Sequence, residues 1–218
     1  ETITLQEREL ELLKKQKKGF LQQLFPKDMQ SSPDIRFEHF ESAWEQRKFT
    51  NIIDRVNKNS SSDTLPKVEF EDIYAGEGRL NKDVTEKFDN RKGVEFEPND
   101  ILYGKLRPYL KNWLYPNFKG VALGDFWVLR AIQSESIFIY SLIQASKFQK
   151  VANDTSGTKM PRSDWKKVSN TIFLIPKKEE QIKIGNFFKQ LDETIHLQEK
   201  KLENIQQIKK AFLQKMFI

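Results

Sequence analysis

The stretch ETITLQERELELLKKQKKGFLQQLFP, residues 1–26, returns without a gap as ETIHLQEKKLENIQQIKKAFLQKMFI, residues 193–218. The offset is constant at 192 (193 minus 1), and 14 of the 26 aligned positions are identical. A match of this length at one offset indicates an internal repeat rather than chance similarity. The sequence therefore predicts one globular unit bounded by two copies of the same segment.

Both copies carry apolar residues at alternating spacings of three and four, which is the pattern of a coiled-coil seam. Polar residues interrupt the two seams at equivalent places, Gln6 with Gln198 and Lys17 with Lys209, and such interruptions can fix the register of a helix pair. The two seams can pack on each other or on copies in another subunit. A plain amphipathic surface helix is the alternative, but it does not account for the duplication. The predicted pairing residues are Ile3, Leu10, Leu13, Phe20 and Leu24 in the first copy and Ile195, Leu202, Ile205, Phe212 and Met216 in the second.

The composition describes a chain that can fold around an ordinary hydrophobic core. It has 218 residues, of which 38% are hydrophobic, and its net charge of +6 suits nucleic acid or another polyanion without proving either. The chain has no cysteine, which excludes disulfides, cysteine-ligated zinc and cysteine nucleophiles and is compatible with a reducing cytoplasm. No run of about 18 apolar residues occurs, so we predict no membrane span.

Helix-breaking residues and changes in hydrophobic periodicity divide the sequence into four parts: a helix at 1–26, a linker at 27–33, a domain at 34–176 and a second helix at 177–218. Gly185 could introduce a kink in the second helix. Within the domain, strands are predicted near 68–73, 100–103, 120–130 and 171–175, and helical spacing extends over 134–151. This mixture predicts an α+β fold with a small mixed sheet, flanked by two long helices.

Signatures of catalysis are nearly absent from the sequence. The two histidines, His39 and His196, belong to no cluster with metal-ligand spacing. The segment DIYAGEG, residues 72–78, resembles a nucleotide or S-adenosylmethionine loop, but the preceding strand is half polar and no clear helix follows. A plain turn is the favoured interpretation. We therefore expect no catalytic residue, no metal and no cofactor.

A first basic loop, YGKLRPYLKNW at 103–113, interleaves Lys105, Arg107 and Lys111 with the aromatic Tyr109. Arginine can bind guanine through two hydrogen bonds in the major groove, and lysine neutralises phosphates. The loop is a candidate DNA contact, and a solvated hairpin is the alternative.

A second loop, SGTKMPRSDW at 156–165, offers Thr158, Lys159 and Arg162 beside Gly157. Small and hydroxyl residues near a glycine allow a phosphate to approach the backbone N–H groups closely. An ordinary loop in which Ser163 caps a short helix is the alternative.

Five stretches that cover most of the chain carry a resemblance to a known family. They are PDIRFEHFESAWEQRKFTNI (33–52), VEFEDIYAGEGRL (68–80), NDILYGKLRPYLKN (99–112), SGTKMPRSDWKKV (156–168) and the region 175–217. In this order they resemble the specificity (S) subunits of type I restriction–modification systems. The resemblance implies two long helices that pair antiparallel as a spacer, and a target-recognition domain that binds one half of a bipartite site in double-stranded DNA.

The same resemblance implies partners and a place in the cell. The expected partners are modification (methyltransferase) subunits, which methylate adenine with S-adenosylmethionine, and, indirectly, restriction subunits, in the cytoplasm of a bacterium or archaeon. The expected DNA contacts are the six residues of the two loops, with Tyr109 beside them and Arg79 on the glycine-rich turn as a further candidate. This chain has one recognition domain where the family usually has two. It therefore resembles the C-terminal half of such a subunit, or a natural half-subunit that forms a homodimer.

Two other hypotheses remain beside this one. The chain could be a coiled-coil interaction module without a DNA role, or a methyltransferase fragment that uses the turn at 72–78. The first copy of the repeat begins in the middle of a helical pattern, so we expect the natural chain to continue upstream of Glu1.

Overall fold

The fold combines five α-helices with short strands in the residues that a computed structural model describes, 2–27, 30–155 and 159–216. The α+β class predicted from the sequence is confirmed. The helices are α1 (Thr2–Gln23), α2 (Ser136–Gln144), α3 (Ser146–Ala152), α4 (Trp165–Asn170) and α5 (Lys178–Met216). The strands are β1 (Glu45–Lys48), β2 (Ile53–Val56), β3 (Asn59–Ser60), β4 (Lys67–Val68), β5 (Gly93–Phe96), β6 (Ile101–Gly104), β7 (Trp113–Leu114), β8 (Gly120–Ala122), β9 (Phe126–Ala131) and β10 (Ile172–Ile175).

The strands of the described residues form three small sheets. One has the order β2-β9-β6-β7 and is antiparallel throughout, and another has the order β3-β5-β8-β4. The latter is mixed, because β4 runs parallel to β8 while β3, β5 and β8 pair antiparallel. The third sheet pairs β1 with β10, with Glu45 opposite Ile175. This pairing brings the two ends of the domain together next to the start of α5.

One hydrophobic core runs from the domain into both long helices. Leu24 and Phe25 at the end of α1, and Ile184 and Phe188 on α5, are all buried in the same cluster as Phe138 of α2. A second cluster fills the space around Val68, Phe96 and Val128. Because the larger core is continuous, the helices are packed on the domain rather than tethered to it. The boundaries 1–26, 27–33, 34–176 and 177–218 remain a proposal.

The segment that follows α1 is fastened to the rest of the chain at two points. The amide of Ile35 donates to the carbonyl of Gln23 at 3.0 Å. Arg36 donates to both carboxylate oxygens of Glu180 at 2.7 Å, and the Glu180 side chain is only 1% exposed. This doubly hydrogen-bonded ion pair fixes the segment against the first turn of α5.

α5 is a continuous helix through Gly185, and a kink at this glycine stays a prediction. A β-carbon at this position would lie 2.4 Å from Ile137 Cγ2, a distance that real side chains do not reach. The glycine therefore serves close approach, since it allows the backbones of α5 and α2 to come together. Within the described residues, no helix is long and apolar enough to cross a membrane.

The structure departs from the sequence pattern in two further places. The strand predicted near 68–73 ends at Val68, and one turn of 3-10 helix follows at Phe70–Asp72. The helical stretch predicted at 134–151 is two helices, because Ala145 between them is extended and 1% exposed. The break redirects α3 so that Phe148 enters the core.

Candidate nucleic-acid interface

The first basic loop closes a hairpin between β6 and β7. Arg107, Tyr109 and Lys111 are exposed on it, with 57% of Tyr109 accessible to solvent. The Lys105 side chain at the base of the loop is 31% exposed. The hairpin therefore presents three cations and an aromatic ring outward from a buried pair of strands.

Two residues of this loop adopt the left-handed backbone conformation, which residues other than glycine rarely take. Arg107 has φ 48° and ψ 61°, Lys111 has φ 57° and ψ 42°, and they flank one turn of 3-10 helix at Pro108–Leu110. Each such residue costs about 1–2 kcal/mol. The conformation is held in part by a hydrogen bond from the Leu110 amide to the Arg107 carbonyl at 2.8 Å. Strain of this kind is concentrated at binding sites, where a fixed shape has a use.

The second basic loop lies alongside the first, and backbone hydrogen bonds join them. Leu106 and Arg162 form an isolated antiparallel bridge. The Arg107 amide donates to the Pro161 carbonyl at 2.7 Å, and the Ser163 amide donates to the Lys105 carbonyl at 2.8 Å. The two loops, which are about 50 residues apart in sequence, are thus joined at one antiparallel bridge. We call the joined segments, 105–111 and 159–163, the ribbon. The structure places Lys105, Arg107 and Arg162 at neighbouring positions of this ribbon.

Asp125 is a functional candidate that the sequence analysis missed. It lies in the turn between β8 and β9, and its carboxylate accepts from Arg162 Nη2 at 3.0 Å and lies 3.6 Å from Lys105 Nζ. Its carbonyl accepts from the Lys105 amide at 2.8 Å. The carboxylate therefore holds one cation from each loop. An aspartate beside Gly124 is ordinary turn chemistry, so no signal in the sequence distinguishes it.

An aromatic layer supports the ribbon from below. Tyr103 of β6 stacks on Trp127 with ring centroids 5.8 Å apart and meets Phe148 edge to face at 5.3 Å. Burial raises the pKa of Tyr103 to about 12. A phenol is neutral at physiological pH even without this shift, so Tyr103 adds no negative charge beneath the loops.

The remaining predicted contacts lie in different surroundings. Lys159 is exposed, and Thr158 lies outside the described residues. Arg79 is bound to carboxylates, since its Nη2 donates to Glu199 Oε2 at 2.9 Å and lies 2.7 Å from Glu77 Oε2. A phosphate would have to displace both partners. DNA binding by these residues stays a prediction.

The two long helices cross at equivalent residues of the repeat. Gln198 Nε2 donates to Gln6 Oε1 at 3.1 Å and to Glu9 Oε2 at 3.0 Å. Since 198 minus 192 is 6, the two glutamines are the same position in the two copies. Equivalent positions of the two copies therefore contact each other, as equivalent residues do across an isologous contact.

Contacts farther along the two helices establish the direction of the pair. Farther along α1, Lys17 Nζ lies 2.6 Å from Asp192 Oδ1, and Phe20 meets Phe187 edge to face at 5.0 Å. Residue numbers rise along α1 while those of its contacts fall along α5, so the helices are antiparallel. Burial raises the pKa of Asp192, and the Lys17 ammonium opposes this effect.

The predicted seam residues fall into three groups by exposure. Buried are Leu24 and Ile195, half-buried are Ile3, Leu10, Leu13, Phe20, Leu202 and Ile205, and exposed are Phe212 and Met216, at 66% and 74%. The last two lie on α5 beyond the reach of α1, together with Ile208 and Leu213. Their pairing therefore remains a prediction, and in this structure they form an open apolar stripe.

The turn at 72–78 has a structural arrangement of its own. Asp72 is buried, and its Oδ2 accepts from the Glu69 amide at 2.8 Å and from Lys87 at 2.7 Å. Lys82 Nζ lies 2.7 Å from its other oxygen. Burial opposes ionisation, but these lysines and the Glu69 amide lower the pKa of Asp72 overall. Both carboxylate oxygens of Asp72 already have partners within the domain, which weakens the alternative that this turn binds a cofactor.

Histidine and carboxylate side chains show no arrangement for a metal ion in the described part of the chain. No group of three or more His, Asp or Glu residues there converges as ligands. His39 is exposed and His196 is half-buried beside Glu199.

The geometry can be compared with known proteins. A family model described as the type I restriction modification DNA specificity domain matches residues 41–207. A comparison with curated proteins gives no match.

Solved structures with the same fold belong to type I systems. The HsdS subunit from Thermoanaerobacter tengcongensis matches with a TM-score of 0.59 at 13% identity, over 97% of this chain and 52% of that one. The S subunit from M. genitalium matches with a TM-score of 0.56 at 16% identity, over 98% and 58%. A structure concerned with complex assembly of the type I R-M system gives 0.64 at 15% identity, over 98% and 54%. This chain thus spans about half the length of these relatives.

Proposed function

The chain belongs to the type I restriction–modification DNA specificity family, and from that premise we propose that its paired basic loops recognise one half of a bipartite DNA site. The observation that carries the proposal is the pairing itself. The two basic loops are distant in sequence, yet backbone hydrogen bonds join Arg107 to Pro161 and Ser163 to Lys105. A ribbon of two strands is narrow enough to enter the major groove of DNA.

The cations of the ribbon suit two kinds of DNA contact. Arg107 and Arg162 carry guanidinium groups, which can bind a guanine edge through two hydrogen bonds. Lys111 and Lys159 are exposed point charges that suit phosphates. Asp125 restrains Arg162 before binding, and a restrained side chain loses less entropy when it binds.

Salt-dependent duplex binding tests the ribbon directly. We expect Arg107→Ala to weaken binding to the cognate half-site by about 1–3 kcal/mol and to relax base preference at one position. Lys111→Ala should weaken binding to all sequences equally and reduce the salt slope by about one. Lys201→Ala, an exposed lysine on α5, is the control. Binding by the unaltered chain that is absent or insensitive to salt would favour the coiled-coil module without a DNA role.

The second part of the proposal concerns the open stripe on α5. Phe212, Leu213 and Met216 are the repeat equivalents of Phe20, Leu21 and Leu24, since each pair differs by 192. Phe20 and Leu21 of α1 pack against the core, and Leu24 is buried in it. An arrangement symmetric about the Gln6–Gln198 contact would place an equivalent core over the α5 stripe.

We therefore assign the stripe to another recognition unit of the same kind, either the other half of a specificity subunit or a homodimer mate. The 39 residues of α5 extend about 58 Å, more than the ~34 Å of one turn of B-DNA. Two domains held at its ends would face half-sites separated by a gap of several base pairs. Phe212→Asp should leave the fold intact and abolish this association in light scattering, whereas Glu203→Asp, on the exposed face of α5, should not. Association that survives Phe212→Asp would contradict the assignment.

The catalytic steps are assigned to partner subunits. The two-fold repeat offers equivalent surfaces to two modification subunits, which would methylate adenine with S-adenosylmethionine, and through them to restriction subunits in the cytoplasm of a bacterium or archaeon. The chain itself would bind no cofactor. Titration calorimetry of the isolated chain with S-adenosylmethionine should give no binding heat, and stoichiometric binding would instead support a methyltransferase fragment.

A methylome of the assembled complex tests the function as a whole. Coexpression with the neighbouring modification subunit in cells without DNA methylation should mark adenines in one gapped motif. Exchange of residues 34–176 for another recognition domain should change one half of that motif. A motif that the exchange leaves unaltered would remove the DNA role of this domain.

A further inference from the structure

The glycine-rich turn at 76–79 is joined to both long helices by a ring of alternating charges. Arg79 lies 2.9 Å from Glu199 Oε2 on α5 and 2.7 Å from Glu77 Oε2. Lys14 on α1 lies 2.6 Å from Glu199 Oε1 and 3.7 Å from Glu77 Oε1. We call these four residues the clasp. Its two cations balance its two anions, and the Glu199 side chain is only 11% exposed.

The turn presents Arg79 in a fixed orientation. Gly78 has a φ of 71°, and a β-carbon there would lie 1.7 Å from the Tyr140 hydroxyl. The guanidinium carbon of Arg79 lies 3.9 Å from the Tyr74 ring centroid, a cation–π contact. The Arg79 carbonyl accepts from the Tyr74 amide at 2.9 Å. The arginine is therefore oriented toward α5 before any partner binds.

The turn also contacts the candidate DNA interface directly. The Gly76 amide donates to the carbonyl of Lys111 at 2.9 Å, and Lys111 is one of the two left-handed residues of the first basic loop. One hydrogen bond therefore connects the clasp segment to the ribbon. A displacement of the turn would move the loop with it.

A second contact between α5 and the domain is apolar. Gly185 packs against Ile137, and Phe188 is 2% exposed beside Phe25 and Phe138. Glu199 lies 14 residues beyond Gly185, which corresponds to about 21 Å along the helix. The apolar contact contains no charged group that water could bind, whereas the two cations of the clasp reach solvent, with 28% of the Arg79 side chain and 45% of the Lys14 side chain exposed.

A groove of about 480 Å³, open to solvent, separates the helices from the domain beside the clasp. It is lined by Lys17 and Ile195 on the helices and by Trp113 and Gln144 on the domain, and all four clasp residues border it. Along this groove the two bodies are not close-packed against each other, which leaves room for a tilt. The domain could then pivot about the apolar contact if the clasp opened.

From this geometry we infer that Arg79 and Glu199 are positioning residues that set the angle between the recognition domain and the helix pair, and so fix the length of the gap between the two DNA half-sites. The inference rests on the proposed function. A change of one base pair moves a half-site by about 3.4 Å along DNA. At the clasp, about 21 Å from the apolar contact, a displacement of this size corresponds to a tilt of about 9°.

The experiment is a methylome of the complete complex with the modification subunit, carried out for Arg79→Ala, Glu199→Ala and the double variant. Each single variant should keep both half-site sequences but also methylate motifs with a gap one base pair longer or shorter. The methylation of these altered motifs should rise by about twofold to about a hundredfold, the range of coupling between contacting side chains. The double variant should show no more than either single one, because both remove the same contact. Glu203→Ala, an exposed glutamate one turn farther along α5, is the control and should leave the gap unchanged.

Each other outcome would contradict the inference in a distinct way. Single variants with an unaltered gap would overturn it, and an altered half-site would assign Arg79 to base recognition instead. A wild-type complex without any gapped motif would overturn the proposed function and the clasp together. Arg79→Lys, which keeps the charge but not the planar fork, gives a second test if Arg79→Ala fails to assemble, and an intermediate gap relaxation is expected for it.

Discussion

The second halves of the two repeat copies have closely related sequences and opposite surroundings. Residues of the first copy, such as Leu24 at 3% exposure, are buried against the domain, whereas their equivalents at the end of α5, such as Met216 at 74%, lie in solvent. The first halves, in contrast, meet each other at Gln6 and Gln198. Both copies of the repeat therefore carry an apolar face. The surrounding fold decides that this face is buried in the first copy and exposed in the second. The predictions below test this difference between equivalent positions.

The largest difference is expected at the apolar pair Leu24 and Met216. Leu24→Ala should lower the free energy of unfolding by about 2–5 kcal/mol, because it removes buried methyl groups and leaves a cavity. Met216→Ala should change it by less than about 0.5 kcal/mol, as exposed positions usually do. Urea denaturation of the isolated chain measures both. Equal losses would show that the α5 stripe is covered in solution.

A smaller difference is expected at the lysine pair. Lys17 is 9% exposed and bound to Asp192, whereas its equivalent Lys209 is exposed. Lys17→Met should cost about 2 kcal/mol, below the ~3–5 kcal/mol of a fully buried pair, because Asp192 keeps 25% of its side chain exposed. Lys209→Met should be close to neutral. Urea denaturation measures both changes. If Lys17→Met left the free energy of unfolding unchanged, the Lys17–Asp192 ion pair would not stabilise the fold.

The loss at Lys17→Met should depend on pH. Burial already raises the pKa of Asp192 above its ordinary value of 3.8, and removal of the ammonium would raise it further. In the window between that value and the raised pKa, the folded state binds more protons than the unfolded state, so stability falls as pH rises. The deficit of the variant relative to wild type should therefore shrink at mildly acidic pH. A deficit that is constant from neutral to mildly acidic pH would contradict this cause.

The smallest effect is expected at the crossing point. Gln198→Leu removes hydrogen bonds to Gln6 and Glu9 but adds apolar surface to the seam, so the free energy of unfolding should change by about 1 kcal/mol or less. Polar seam residues contribute more to register than to stability. Distances between spin labels on α1 and α5 should therefore spread over more than one register in this variant. A single unaltered distance would show that the register is set by the flanking contacts.

The elements with long periodic patterns were predictable, and those that depend on contacts between segments were not. Both long helices and the basic hairpin follow from local spacing, as does the α+β class. The break at Ala145 and the close approach at Gly185 do not, because each depends on what another segment places opposite it. The same holds for the candidate site, since the residue types were visible in the sequence but Asp125, which restrains two of the cations, was not.

The sequence alone determined the repeat, its apolar face and the two basic loops, because these reside in the order and spacing of side chains along one segment. Only the tertiary structure decided that the loops pair through their backbones, that the helices cross at Gln6 and Gln198, and that Arg79 is bound to Glu199 rather than free. The physical reason is that a backbone hydrogen bond or an ion pair between distant segments depends on distance and direction in space. The local periodicity of a segment specifies neither that distance nor that direction.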